Sequence, residues 1–136
     1  MKKIAIFGST GSIGESTLNV VRENPDLFQV VTLVAGKNSK KLIEQIQEFN
    51  PQNVYITAEE NAKQIQELYP NLHVYHGKEG MEKISQLTDF DIGVSALVGV
   101  AGLQPTYNMI RNGKTVALAN KEVLVAGGKL IMDTAK

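Results

Sequence analysis

The chain has 136 residues, enough for one domain, with 43% hydrophobic and 21% charged residues and a formal net charge of zero. That balance gives no charge basis for a nucleic-acid partner or an anionic membrane surface. The absence of cysteine excludes disulfides and thiolate metal sites and suits a cytoplasmic protein.

The opening "MKKIAIFGSTGS" starts like a signal peptide, but its apolar run breaks at Gly8, too early for an h-region. No stretch approaches the ~18 apolar residues of a membrane span. "KIAIFG" (3–8) is instead a buried strand, a short apolar run ended by glycine. "SIGESTLNVVREN" (12–24) carries Ile13, Leu18, Val20 and Val21 at helical spacing and is stopped by Asn24-Pro25. "FQVVTLVAG" (28–36) is a second strand. "SKKLIEQIQEFN" (39–50) is an amphipathic helix, with Ser39 as N-cap, Leu42, Ile43, Ile46 and Phe49 on one face and Pro51 beyond its end.

"NVYITA" (53–58) is a third strand and "EENAKQIQELY" (59–69) a further helix with acids in its first turn, where the dipole favours them. "LHVYHG" (72–77), "DIGVSAL" (91–97) and "TVALAN" (115–120) are strands, with helices at 79–88, 103–112 and 121–135. Such alternation predicts a doubly wound α/β domain, a mainly parallel sheet with helices on both faces. The series ends on "KLIMDTAK", a helix with no strand after it, and so reads as a domain cut from something longer.

"GSTGSIG" (8–14) lies where the first strand meets the first helix, the phosphate-binding position of dinucleotide folds. Glycine lets the backbone turn sharply and lets a pyrophosphate approach, and the helix terminus supplies the positive end. The spacing is G-x-x-G-x-x-G rather than G-x-G-x-x-G, and no Lys-Ser/Thr pair follows as in a Walker A loop. This wider loop is met in NADP-dependent reductases and dehydrogenases.

After the second strand, an NAD site places Asp or Glu against the ribose 2′-hydroxyl. Here stand Gly36, Lys37 and Asn38. A carboxylate repels a 2′-phosphate, whereas a lysine and an amide attract it, which points to NADP(H). Lys40 and Lys41 follow, and cations at a helix N-terminus oppose the dipole, which argues that this cluster has a ligand.

"SALVGVAGLQPT" (95–106) and "ALANKEVLVAGG" (117–128) each follow a late strand and belong to the same sheet edge. Asn120 as N-cap, Glu122 in the first turn and Val123, Leu124 and Val125 as core account for most of the second segment. Lys121 is left over, and a substrate phosphate or hydroxyl would explain it. His73 and His76, three apart in and after a strand, face opposite sides and make a poor metal pair.

With these residues in hand, the whole chain resembles the N-terminal, NADPH-binding domain of the 1-deoxy-D-xylulose 5-phosphate reductoisomerases. The resemblance rests on "GSTGSIG" followed by "STLNVVRENPDLFQVVTLVAGKN", then "ALVGVAGLQPT", then "GKTVALANKEVLV". It implies a Rossmann-like domain spanning 1–136. It also implies a parent enzyme that isomerises 1-deoxy-D-xylulose 5-phosphate and reduces the product with NADPH to 2-C-methyl-D-erythritol 4-phosphate, in non-mevalonate isoprenoid biosynthesis. A divalent Mg or Mn ion would act as Lewis acid there, and the parent enzyme would be a homodimer.

By the same resemblance, Thr10, Gly11, Ser12 and Ile13 would cradle the pyrophosphate. Gly36, Lys37 and Asn38 would take the adenosine end, Asn120 and Glu122 would touch the nicotinamide side, and Lys121 would reach the phosphorylated sugar substrate. No catalytic residue and no metal ligand is assigned within the chain: the family's metal motif and catalytic domain follow later, so the piece alone is expected to be inactive. Val123 stands where the family has Ser or Thr. Two alternatives keep the wide glycine loop: another NADP-dependent reductase, of the dihydrodipicolinate reductase or homoserine dehydrogenase type, and a stand-alone NADP(H)-sensing module. The "LANKE" stretch argues against the former.

Overall fold

A computed structural model of the chain describes residues 2–87, 89–95, 115–118, 123–126 and 129–132. In chain order these form β1 (Lys2–Phe7), α1 (Ser12–Glu23), β2 (Phe28–Val34), α2 (Ser39–Phe49), β3 (Asn53–Ile56), α3 (Glu59–Leu68), β4 (His73–His76), α4 (Gly77–Ser85), β5 (Ile92–Ser95) and β6 (Thr115–Leu118). The expected helix at 103–112 lies outside the described residues.

The six strands form one sheet of order β4-β3-β2-β1-β5-β6, parallel at every pairing. The chain winds outward from β1 to β4, then crosses back to the other side of β1 for β5 and β6. The winding therefore reverses between β1 and β5. In an open α/β sheet, ligands settle outside the carboxyl ends of the strands at such a reversal. The glycine stretch leaves β1 at that place.

Apolar side chains hold the sheet between two helical layers. On one face Ile4, Ile6, Leu33, Val54 and Ile56 pack with Leu18 and Val21 of α1, Leu42 and Ile46 of α2, and Ala62 and Ile65 of α3. On the other, Ala5, Phe7, Val31, Val34 and Tyr55 pack with Ile84 of α4 and with Phe90. Each fully buried large side chain contributes roughly 1.5–3 kcal/mol. One irregularity tunes this division: Ile4 pairs with Val30 but Ala5 with Thr32, so β2 carries one extra residue. Past this bulge Leu33 and Ala35 return to the face of Val30, while Val34 joins Val31.

The helix ends follow from local chemistry. α1 closes at Asn24, whose N–H reaches the Val21 carbonyl, directly before Pro25. α2 closes at Asn50, in the left-handed region at φ 50°, directly before Pro51. Three sequence expectations are corrected. The N-cap of α2 is Asn38, not Ser39: its side chain accepts from the Lys41 N–H, as asparagine does well. On α1, Leu18 and Val21 are buried, but Ile13 and Val20 are 48% and 50% exposed, because the inward face also takes Gly14.

The third correction concerns 121–135, read as a helix. The structure has β7 (Val123–Ala126) and β8 (Lys129–Met132), an antiparallel pair forming its own two-stranded sheet. Two short apolar runs separated by Gly127-Gly128 satisfy a hairpin better than a helix. Each glycine costs a helix interior about 1 kcal/mol, while a two-residue glycine spacer suits a tight hairpin.

Candidate functional site

The three glycines of the 8–14 stretch perform different tasks. Gly8 has φ 107°, closed to most side chains. Its N–H and that of Ser9 both donate to the Val34 carbonyl, at 2.8 and 2.9 Å, so the turn is pinned to β2. Gly14 is buried on α1, and a Cβ there would lie 2.2 Å from the Gly8 carbonyl oxygen and 2.7 Å from two Ser9 backbone atoms. Helix and turn can meet only with hydrogen at that position.

Gly11 is under neither constraint. Its backbone is extended, at φ −82° and ψ 176°, and an added Cβ would meet nothing closer than 3.8 Å. It is the N-cap of α1, its carbonyl accepting from the Glu15 N–H at 2.9 Å, and no side chain caps the helix. The first-turn amides have no intrahelical acceptor, so α1 presents uncapped N–H groups and the positive end of its dipole. Gly11, Ser12 and Ile13 are exposed around it and Thr10 is half-buried.

The second loop follows β2. The Gly36 carbonyl accepts from the Thr57 N–H at 3.0 Å, which fixes the loop to the end of β3. Gly36, Lys37 and Asn38 are all exposed. Asn38 commits its side-chain oxygen to the Lys41 N–H at 3.1 Å, which leaves its NH₂ group to donate outward. Lys41 pairs with Glu15 of α1 at 2.8 Å, so this lysine ties the two helix starts together. Lys37 and Lys40 form no ion pair among the described residues. The two loops thus offer amides, hydroxyls and two unpaired cations side by side, a combination suited to a ligand with separated anionic groups.

The sequence reading missed Gln45. It is 4% exposed within the apolar face of α2, and its side-chain NH₂ donates to the Ser9 carbonyl at 2.9 Å. A polar residue three after Leu42 and one before Ile46, on the core side of the helix, was the available signal.

Asn120, Lys121 and Glu122 lie outside the described residues; β6, parallel to β5 and through it to β1, ends at Leu118 just before them. His73 and His76 are exposed on the outermost strand β4, and the described residues contain no group of three histidines or acids that could hold a metal ion. None of the perturbed titrations belongs to a residue of the two loops. Burial pushes the Tyr55 phenol up, with a smaller opposing effect from its hydrogen bond with Thr57. Its hydroxyl also donates to the Gly77 carbonyl at 2.9 Å. The Arg22 guanidinium, hydrogen-bonded to Glu48, holds that carboxyl below its ordinary value. Among the described residues no helix is long and apolar enough to cross a membrane.

Comparison with known proteins agrees with this geometry. The sequence profile of a family described as 1-deoxy-D-xylulose 5-phosphate reductoisomerase matches residues 4–128. The enzyme of that name from Geotalea uraniireducens is 51% identical over 138 residues, covering 100% of this chain and 36% of its own length. That of Thermodesulfovibrio yellowstonii is 44% identical over 136 residues, with the same coverage of 100% and 36%. A crystal structure of DOX-P reductoisomerase in complex with NADPH, fosmidomycin and magnesium superposes with a TM-score of 0.82 at 32% identity, over 90% of this chain and 31% of that one. The Zymomonas mobilis enzyme in complex with NADPH gives 0.80 at 34% identity, over 89% and 32%. The chain therefore spans about a third of the length of the relatives it matches. By the profile match over residues 4–128, the chain belongs to the 1-deoxy-D-xylulose 5-phosphate reductoisomerase family.

Proposed function

We propose that residues 1–136 form the NADPH-binding domain of a 1-deoxy-D-xylulose 5-phosphate reductoisomerase. The observation that carries this reading is Gly11. Neither backbone strain nor packing demands a glycine there, yet it stands at an uncapped helix start at the reversal of the sheet. A pyrophosphate brought against the α1 amides supplies a reason beyond the modest preference for glycine over alanine at an N-cap, since a side chain would stand in its way. The NADPH held by solved relatives supports the same ligand.

In this reading Thr10, Gly11, Ser12 and Ile13 bind the pyrophosphate. Gly36, Lys37 and Asn38 take the adenosine end, with the unpaired Lys37 ammonium and the outward Asn38 NH₂ on the 2′-phosphate. Asn120 and Glu122 bear on the nicotinamide side and Lys121 on the phosphorylated sugar. Bound NADPH supplies a hydride; the residues of this chain bind the dinucleotide and orient it. The whole enzyme would isomerise and reduce 1-deoxy-D-xylulose 5-phosphate to 2-C-methyl-D-erythritol 4-phosphate, as a cytoplasmic homodimer. Magnesium accompanies the relatives, and a divalent metal would serve that step through ligands other than the residues assigned here.

Lys37→Asp tests the assignment of the adenosine end. It should weaken NADPH binding at least tenfold while leaving NADH binding within a factor of two to three, by calorimetric titration. An unchanged NADPH-to-NADH ratio would remove Lys37 from 2′-phosphate recognition.

A further inference from the structure

We infer that Gln45 is a positioning residue that sets the direction of the Thr10 amide in the pyrophosphate loop. The inference rests on the dinucleotide reading above. Ser9 is fully buried and held at both ends of its backbone. Its N–H donates to Val34 of β2 at 2.9 Å, and its carbonyl accepts from the Gln45 side chain at 2.9 Å. The peptide joining Ser9 to Thr10 is planar and trans, so its carbonyl and its N–H point in opposite directions. Drawing the Ser9 carbonyl inward onto α2 therefore turns the Thr10 N–H away from the core. That N–H has no protein acceptor among the described residues, and an anion at the start of α1 would be its partner.

Packing alone does not explain a glutamine at this position. The side-chain oxygen of Gln45 is buried without a hydrogen-bond partner, as is the Ser9 hydroxyl, and each such orphan opposes folding. A leucine or methionine would fill the space and remove the Gln45 orphan, at the cost of leaving the Ser9 carbonyl without its donor. What the amide adds is orientation. It also acts across the site: α2, which carries Gln45, starts at the Asn38 cap beside Lys37, so one rigid helix sets the spacing between the pyrophosphate loop and the adenosine end.

The test uses Gln45→Leu and Gln45→Met in the full chain, titrated with NADPH, with NADH and, by NMR, with 2′-AMP, which has the adenosine and 2′-phosphate but no pyrophosphate. Both variants should fold with a Tm within about 5 °C of wild type, because removing the orphaned Gln45 oxygen offsets the loss of the donor to the Ser9 carbonyl. NADPH and NADH should each weaken about tenfold, as for loss of one charge-assisted bond, with 2′-AMP unchanged. In wild type, NADPH should protect the Thr10 amide from hydrogen exchange, a readout that needs no variant. Wild-type affinity for NADPH in a folded variant, an equal loss for 2′-AMP, or an unprotected Thr10 amide would each overturn the inference. A wild-type chain that binds neither dinucleotide would overturn the functional reading beneath it, a distinct result.

Discussion

Replacing Gly14 by alanine sets two physical effects against each other. Alanine is the better helix former by about 1 kcal/mol, so propensity alone predicts that Gly14→Ala stabilises α1. The packing predicts the opposite. The new Cβ would lie 2.2 Å from the Gly8 oxygen and 2.7 Å from the Ser9 Cα and carbonyl carbon, so the helix start and the turn must part by about 1 Å to reach ordinary contact. These are backbone atoms, unable to rotate aside. The turn is held by the two bonds to Val34 and the bond from Gln45, each contributing about 0.5–1.5 kcal/mol. Overpacking of this kind costs about 1–3 kcal/mol. With some of those bonds stretched and the propensity gain subtracted, the net loss is about 2–4 kcal/mol, a fall in Tm on the order of 10 °C for a domain of this size. Thermal unfolding followed by circular dichroism measures it. Gly11→Ala is the control: with 3.8 Å of clearance it should cost no more than about 1 kcal/mol, as a poorer N-cap, while weakening NADPH at least tenfold. A Tm for Gly14→Ala equal to or above wild type would refute the packing argument.

Asn38→Ala removes the cap of α2 and should lower stability by about 1 kcal/mol; denaturant titration reads this, and NADPH affinity should fall with it. Tyr55→Phe leaves the Gly77 carbonyl without its 2.9 Å donor and should also cost about 1 kcal/mol, with NADPH affinity unchanged. Glu48→Gln breaks the exposed pair with Arg22 and should change stability by no more than about 1 kcal/mol. The Glu48 carboxyl is lowered in the folded state, chiefly by its hydrogen bond with Arg22. Its contribution is therefore present above the ordinary carboxylate pKa and disappears as pH falls through the lowered value. The difference between wild type and Glu48→Gln in urea should close on acidification; a gap that widens below pH 4 would contradict the sign.

The frame of this domain was legible because its signals are local and agree with one another. Short apolar runs ended by glycine, amphipathic helices and Asn-Pro stops mark β1 to β4 and α1 to α3, and the strand–helix alternation implies the parallel sheet. The three glycines marked the candidate site, but their separate tasks emerge only where Gly14 meets the Gly8 carbonyl across the turn. Gln45 was hidden because its partner, Ser9, is distant in sequence, so a buried glutamine looked like an interruption of a helix face. The cap of α2 was misplaced by one residue because Asn38 and Ser39 are both good caps, and backbone geometry selected the first. The hairpin at 123–132 was misread because a run such as Val123-Leu124-Val125 fits helix and strand alike; the glycine pair after it was the deciding signal.

In the proposed reading, the loop at 8–14 and the loop at 36–38 together take a dinucleotide with a 2′-phosphate. Calorimetric titration of the chain with NADPH and, separately, with NADH tests it most directly. NADPH should bind with micromolar or tighter affinity at a stoichiometry of about one, and NADH at least tenfold more weakly. Equal affinity for the two would contradict the role given to Lys37 and Asn38, and no binding of either would contradict the site itself.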